Sequence, residues 1–180
     1  MKTIITQMPN RRNFLQGKYA IEIGYPWITY GSIMAIEAML KPEHNVLELG
    51  SGGSTIFWSK RCNSVKSYEL NKEWMEKVKV KLPEPSNVTI TCGEPEVLVE
   101  IIRKEPNEYY DWLLADTGPS YGVRFALMRE SIPKLKKGGF LVIDNYAKRY
   151  MNRFDYTGWD VYTFDDFGHA GKGTKICVKI

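Results

Sequence analysis

The sequence predicts an α/β fold: a single doubly wound, mostly parallel sheet of seven strands that closes with an antiparallel C-terminal hairpin. Three observations carry this. Short apolar runs recur along the chain, each followed by apolar residues at helical spacing, and that alternation is how parallel strands with helical crossovers read. The runs are rich in Val, Ile and Leu, as strands covered on both faces must be. Two last runs follow each other without an intervening helical segment, which suits a closing antiparallel pair.

Residues 1–29 read as an irregular leader, because Gly17, Gly24 and Pro26 prevent a long helix. Ile33, Ile36 and Leu40 then mark a helix that Pro42 closes. Asn45–Gly50 is the first strand, and Ser54 caps a helix running to about Cys62. Val65–Leu70 is the second strand. Asn71 caps a helix with Trp74, Met75 and Val78 on its apolar side, ended by Pro83 and Pro85. Val88–Cys92 is the third strand, and Glu94–Arg103 a helix with Val97, Leu98, Ile101 and Ile102 inward. Trp112–Ala115 is the fourth strand. Phe125, Met128, Ile132 and Leu135 form the next helical face, stopped by Gly138-Gly139, and Phe140–Ile143 is the fifth strand. Tyr146, Tyr150 and Phe154 at i, i+4, i+8 predict a short amphipathic helix. Asp160–Phe164 and Lys175–Ile180 make the hairpin.

Composition bounds the function. A length of 180 residues, 43% apolar and 26% charged, fits one globular domain, divided into a leader with its helix (1–44), a core (45–145) and a closing segment (146–180). No stretch approaches the ~18–20 apolar residues of a membrane span. The start, MKTIITQMPNRRNF, is too polar for a secretory signal, so a cytoplasmic location is expected. Cys62, Cys92 and Cys177 are odd in number and far apart, which excludes a disulfide framework and a cysteine zinc site. A net charge of +4 permits an anionic partner without demanding one.

In such a sheet, ligands bind beyond the C-terminal strand ends. There the chain carries Glu48-Leu-Gly50-Ser51-Gly52-Gly53-Ser54. Glycines allow close backbone approach and positive φ, and the following helix start offers free N–H groups. Glu69 ends the second strand, where an acid accepts hydrogen bonds from ribose hydroxyls, and Gly93-Glu94 ends the third, where an adenine would lie. Read alone, the turn is a tight turn and Glu69 an exposed acid; in series they outline a nucleotide-like ligand. A nicotinamide dinucleotide site expects a third glycine at 55, and Thr55 stands there.

On these residues, 45–145 resemble the class I S-adenosylmethionine-dependent methyltransferases, with their Rossmann-like sheet. The resemblance implies that Glu48, Gly50 and Gly52 flank the methionine part of the cofactor, that Glu69 holds the ribose, and that Glu94, beside Gly93, lies at the adenine. Ser51, Ser54, Leu70 and Asp116 complete the expected cofactor-binding set. It implies transfer of a methyl group to a small or medium-sized acceptor, with oxygen as the nucleophile.

Asp116 follows the fourth strand, and Asp144-Asn145 the fifth. Oxygen ligands of this kind suit Mg²⁺, and their placement is similar to that in the catechol and caffeoyl-CoA O-methyltransferases, whose metal orients two substrate oxygens. Those enzymes carry a lysine shortly after the first Asp; here position 119 is Pro. The alternative is that Asp116 touches the cofactor and Asp144-Asn145 cap the next segment. Candidate bases are Asp116, Asp144 and His169. Tyr25-Pro26-Trp27 either caps the cofactor or covers the sheet edge. The basic, aromatic 146–154 segment either grips a planar or anionic acceptor or packs on the core. The Pro-Pro-aromatic signature of base-modifying amino-methyltransferases is missing after Asp116, and there is no basic arm, so nucleic acid is not the expected partner. Two rival readings stand beside the enzyme: a non-enzymatic module of the same fold, and a nicotinamide oxidoreductase.

Overall fold

A computed structural model describes residues 20–118, 120–148, 150–165 and 173–180. The strands are β1 (Asn45–Leu49), β2 (Ser64–Glu69), β3 (Val88–Cys92), β4 (Tyr110–Ala115), β5 (Leu135–Asp144), β6 (Trp159–Phe164) and β7 (Thr174–Lys179). They form one sheet in the order β3-β2-β1-β4-β5-β7-β6, with β7 antiparallel to β5 and β6 and the rest parallel. The order reverses between β1 and β4, so a crevice opens at their C-terminal ends.

The helices are α1 (Ala20–Ile23), α2 (Tyr30–Met39), α3 (Gly53–Ser59), α4 (Lys72–Lys79), α5 (Pro95–Arg103) and α6 (Tyr121–Ser131). On one face Leu47, Leu49, Leu113 and Ile143 pack with Leu98, Ile102, Leu127 and Met128 of α5 and α6. On the other, Val46, Leu114, Val142 and Ile176 meet Ile33, Ile36, Phe57 and Trp58 of α2 and α3. Each side chain of this size stabilises the fold by about 1.5–3 kcal/mol when fully buried. Among the described residues, no helix is long and apolar enough to cross a membrane. Cys62 and Cys177 are buried, Cys92 is half-buried, and all three are free thiols.

Several local expectations change. The cap of α3 is Gly52, whose N–H donates to Thr55 Oγ1 at 2.8 Å; Ser54 lies inside the helix. Val97 points outward, 54% exposed, while Leu98 and Ile102 carry the buried stripe of α5. The helix α6 ends at Ser131 and runs into a 3₁₀ turn, Ile132–Lys134, so its stop lies at Pro133, which has no N–H to continue the helix. Gly138-Gly139 lie within β5, where the pairing jumps from Tyr110↔Leu135 to Trp112↔Phe140. Gly138 has φ +72°, and a Cβ on Gly139 would meet Lys136 O at 2.9 Å, the backbone demands of a bulge. Among the described residues of 146–154 the only helical piece is the 3₁₀ turn Met151–Arg153, and Tyr150 sits at φ +74°. Lys175 Nζ lies 4.6 Å from the Tyr146 ring centroid and 4.2 Å from that of Tyr156. Tyr25 packs on Phe57, with ring centroids 5.4 Å apart, and accepts from Arg61 Nη2 at 3.1 Å, so it belongs to the α2–α3 layer. Trp27 is half-buried.

Candidate active site

Pairing register places four acids on one sheet face. Val46, Val65, Leu114 and Val142 all belong to the α2–α3 side. Side chains alternate along a strand, so Glu48, Glu69, Asp116 and Asp144 lie on that side too, at or just past the ends of four strands. Ala115 pairs with Ile143, which sets Asp116 beside Asp144.

Glu48 is fully buried. Its Oε2 accepts from Thr55 Oγ1 at 2.5 Å and from Ser67 Oγ at 2.8 Å. Its Oε1 has no hydrogen-bond partner; the Ser54 hydroxyl lies near without reaching bonding geometry. Burial pushes the carboxyl up to about 7, against the pull of the neighbouring hydroxyls. Such a stranded buried acceptor is costly unless a ligand or ion meets it. The three glycines of the turn do different work. Gly50 has φ +92°, and a Cβ there would meet Asp116 O at 2.7 Å and Thr117 N at 2.9 Å, so it lets β1 and β4 ends pack together. A Cβ on Gly52 would meet nothing within 4 Å. Of the three, only Gly52 has open space above it. The neighbouring Gly53 is needed because a Cβ would strike the carbonyls of Ala20 and Tyr25.

Glu69 is 7% exposed and saturated by its own chain. Oε2 accepts from Ser51 N at 2.8 Å and Ser51 Oγ at 3.0 Å; Oε1 accepts from Leu70 N at 2.8 Å and Asn71 N at 2.9 Å. The Trp74 indole donates to Ser51 O at 2.7 Å, holding the turn from the other side. Gly93 N donates to Glu69 O at 3.1 Å, and Glu94 is the exposed N-cap of α5.

At the β4 and β5 ends, burial raises the carboxyl pKa values of both Asp116 and Asp144. The charge of Asp116 raises Asp144 further, while the Arg124 guanidinium opposes both rises. Asp116 Oδ1 pairs with Arg124 Nη2 at 3.1 Å. Asp144 Oδ1 accepts from Thr174 Oγ1 at 3.2 Å, and Thr174 Oγ1 in turn accepts from Thr29 N at 3.1 Å. Asn145 Oδ1 accepts from the Tyr121 hydroxyl at 3.2 Å, while its buried Nδ2 has no partner. His169 lies outside the described residues.

No protein-family model matches the sequence, and no curated protein does. Solved structures match along most of the chain. An rRNA methylase from Streptococcus thermophilus is 15% identical with a TM-score of 0.64, covering 86% of this chain and 99% of that one. A Staphylococcus aureus protein assigned as a caffeoyl-CoA O-methyltransferase is 17% identical with a TM-score of 0.65, covering 93% and 96%. The O-methyltransferase TomG from Streptomyces achromogenes, solved with S-adenosylmethionine, is 12% identical with a TM-score of 0.64, covering 83% and 78%. This is the class I S-adenosylmethionine-dependent methyltransferase fold.

Within this methyltransferase fold, the described residues suit a cationic ligand better than a metal ion. The stranded Glu48 Oε1 and the open Gly52 suit a bound ligand carrying a positive group. The expected Mg²⁺ site is not supported. Arg124, 5% exposed, sets its own positive charge against Asp116, and one oxygen each of Asp144 and Asn145 already accepts from a protein hydroxyl. Among the described residues, no group of three His, Cys, Asp or Glu is placed to hold a metal.

Two residues of this site escape sequence reasoning. Thr55 reads as a missing glycine, yet its hydroxyl donates to Glu48 and accepts from Gly52 N. Arg124 is not among the residues the sequence singles out, yet it is buried against Asp116. A hydroxyl at the absent glycine's position is a usable signal; for Arg124 the sequence offers none.

Proposed function

We propose that the chain is an S-adenosylmethionine-dependent methyltransferase acting on a small or medium-sized acceptor, at oxygen. The observation that carries this is the stranded Oε1 of Glu48 beneath the open Gly52 turn, on the sheet face that also bears Glu69, Asp116 and Asp144. Bound there, the cofactor would supply a methyl group on a positively charged sulfur. Glu48 receives the ligand's ammonium, a charge pairing that its buried site strengthens. Glu69 holds the ribose, for which the Ser51 hydroxyl must turn away from Oε2. Leu70, Gly93 and Glu94 border the base, and Ser54 and Asp116 border the methionine end.

On the acceptor side, Asp116 and Asp144 form a coupled carboxyl pair that holds a proton more readily than isolated acids do. In its ionised state the pair takes the acceptor's O–H proton. The freed oxygen lone pair would then be the nucleophile for the methyl group that the bound cofactor supplies, with the sulfur keeping the electrons of its bond to that carbon. Alignment supplies most of the acceleration in such a displacement.

Calorimetry with S-adenosylhomocysteine tests the reading. Binding should be measurable, and Glu69→Ala should weaken it by about 1–3 kcal/mol, the cost of stranding hydrogen-bonding groups. Equal binding of NAD, or indifference to the substitution, would remove the proposal. Binding without methyl transfer to any hydroxyl acceptor would favour the non-enzymatic module.

A further inference from the structure

Arg124 is a buried cation at the acceptor end, with a side chain 5% exposed. All three of its nitrogens are engaged. Nε donates to Thr117 O at 2.6 Å, Nη1 to Asp144 O at 3.1 Å, and Nη2 pairs with Asp116 Oδ1 at 3.1 Å. One planar group thus ties the end of β4 to the end of β5. Its carbon lies 5.1 Å from the Tyr121 ring centroid, and the Tyr121 hydroxyl holds Asn145 Oδ1. The forked, permanently charged guanidinium suits such a junction in a way a compact ammonium does not.

We propose that Arg124 is a built-in cation: a positioning residue that supplies the fixed positive charge a divalent ion would bring, holds Asp116 in place, and keeps such ions out. The acceptor then presents a single nucleophilic oxygen, with no ion bridging Asp116 and Asp144 to chelate two. Asn145 Nδ2, buried and unpartnered among the described residues, is the donor available to that acceptor. The exclusion has a direct electrostatic cause. A divalent ion bridging Asp116 and Asp144 would sit beside a guanidinium that cannot lose its proton, in a buried environment where like charges repel strongly. The proposal rests on the methyltransferase reading for what the site is used for, but ion exclusion is measured with no cofactor or acceptor present.

The experiment is a Mn²⁺ titration followed by electron paramagnetic resonance, since Mn²⁺ takes the same oxygen ligands as Mg²⁺. Wild-type protein should bind no Mn²⁺ up to about millimolar concentration. Arg124→Met, which removes the charge and keeps the bulk, should gain a site at least ~10-fold tighter, and adding Asp144→Asn should abolish it. Arg124→Lys should restore exclusion, which a merely structural role for Arg124 would not require. If Arg124→Met does not fold by circular dichroism, Arg124→Gln takes its place in the same titration. Mn²⁺ binding by the wild type that Asp144→Asn removes would overturn the proposal, as would a folded Met or Gln variant that gains no site. Calorimetry of wild type with S-adenosylhomocysteine, run in parallel, reports on the methyltransferase reading separately.

Discussion

Glu48 is where charge, burial and ligand binding meet. Burial pushes its carboxyl from an ordinary 4.5 up to about 7, so the fold favours the protonated form. The associated stability is fully present below about pH 4.5 and lost as pH rises through about 7, a change of roughly 3 kcal/mol at 1.36 kcal/mol per unit. Glu48→Gln mimics the protonated state. By chemical denaturation it should match or exceed wild-type stability at pH 8, with the gap closing by pH 5. Ligand binding should move the other way. A cationic ligand needs the carboxylate, so wild-type affinity for S-adenosylhomocysteine should fall up to ~10-fold per unit below pH 7, and Glu48→Gln should bind weakly with that slope removed. A flat wild-type profile from pH 5 to 8 would show that Glu48 does not meet the ligand. The acid itself was legible in the sequence from its place before the glycines. Its stranded oxygen was not, because that depends on where Thr55, Ser67 and Ser54 point.

The β1–α3 turn belongs to the scale of elements, and its glycines separate ligand approach from backbone packing. Gly52→Val places its branches in open space, so circular dichroism should show a folded protein while calorimetry shows no cofactor binding. Gly53→Ala should instead cost fold stability, by about 1–3 kcal/mol, because its new methyl meets the carbonyls of Ala20 and Tyr25. Normal binding by Gly52→Val would make that turn purely structural. At this scale the sequence is informative about kind and less so about limits. Each βα unit is legible because its apolar run and helical stripe are local. The end of α6 was misplaced because Gly138-Gly139 reads as a helix stop, whereas the pair serves a bulge opposite β4. Val97 was assigned inward because α5 carries more apolar residues than its sheet-facing stripe can bury, and only packing selects Leu98 and Ile102. The expected helix at 146–154 gives way because its spaced aromatics do not share one face: Tyr146 lies beside Lys175 of β7, Tyr150 beside Arg153, and Phe154 packs edge-on to Tyr156 and Trp159.

For the whole molecule, a ligand that binds only the folded chain stabilises it by about 2.7 kcal/mol at 100 times its dissociation constant. In a chain of this length each kcal/mol moves the melting temperature by roughly 2–4 °C. S-adenosylhomocysteine at that concentration should therefore raise it by ~5–10 °C, and an unchanged melting curve would contradict binding. The sheet also joins distant stretches of chain: Thr29 N reaches Thr174 Oγ1 across 145 positions, and Thr174 in turn holds Asp144. The turn after β1 packs through Gly50 against Asp116 and Thr117 at the end of β4, and Asp144 is not anchored until β7 has paired with β5. Domains generally fold as units, so the whole crevice takes shape only when the last strand to be synthesised is in place.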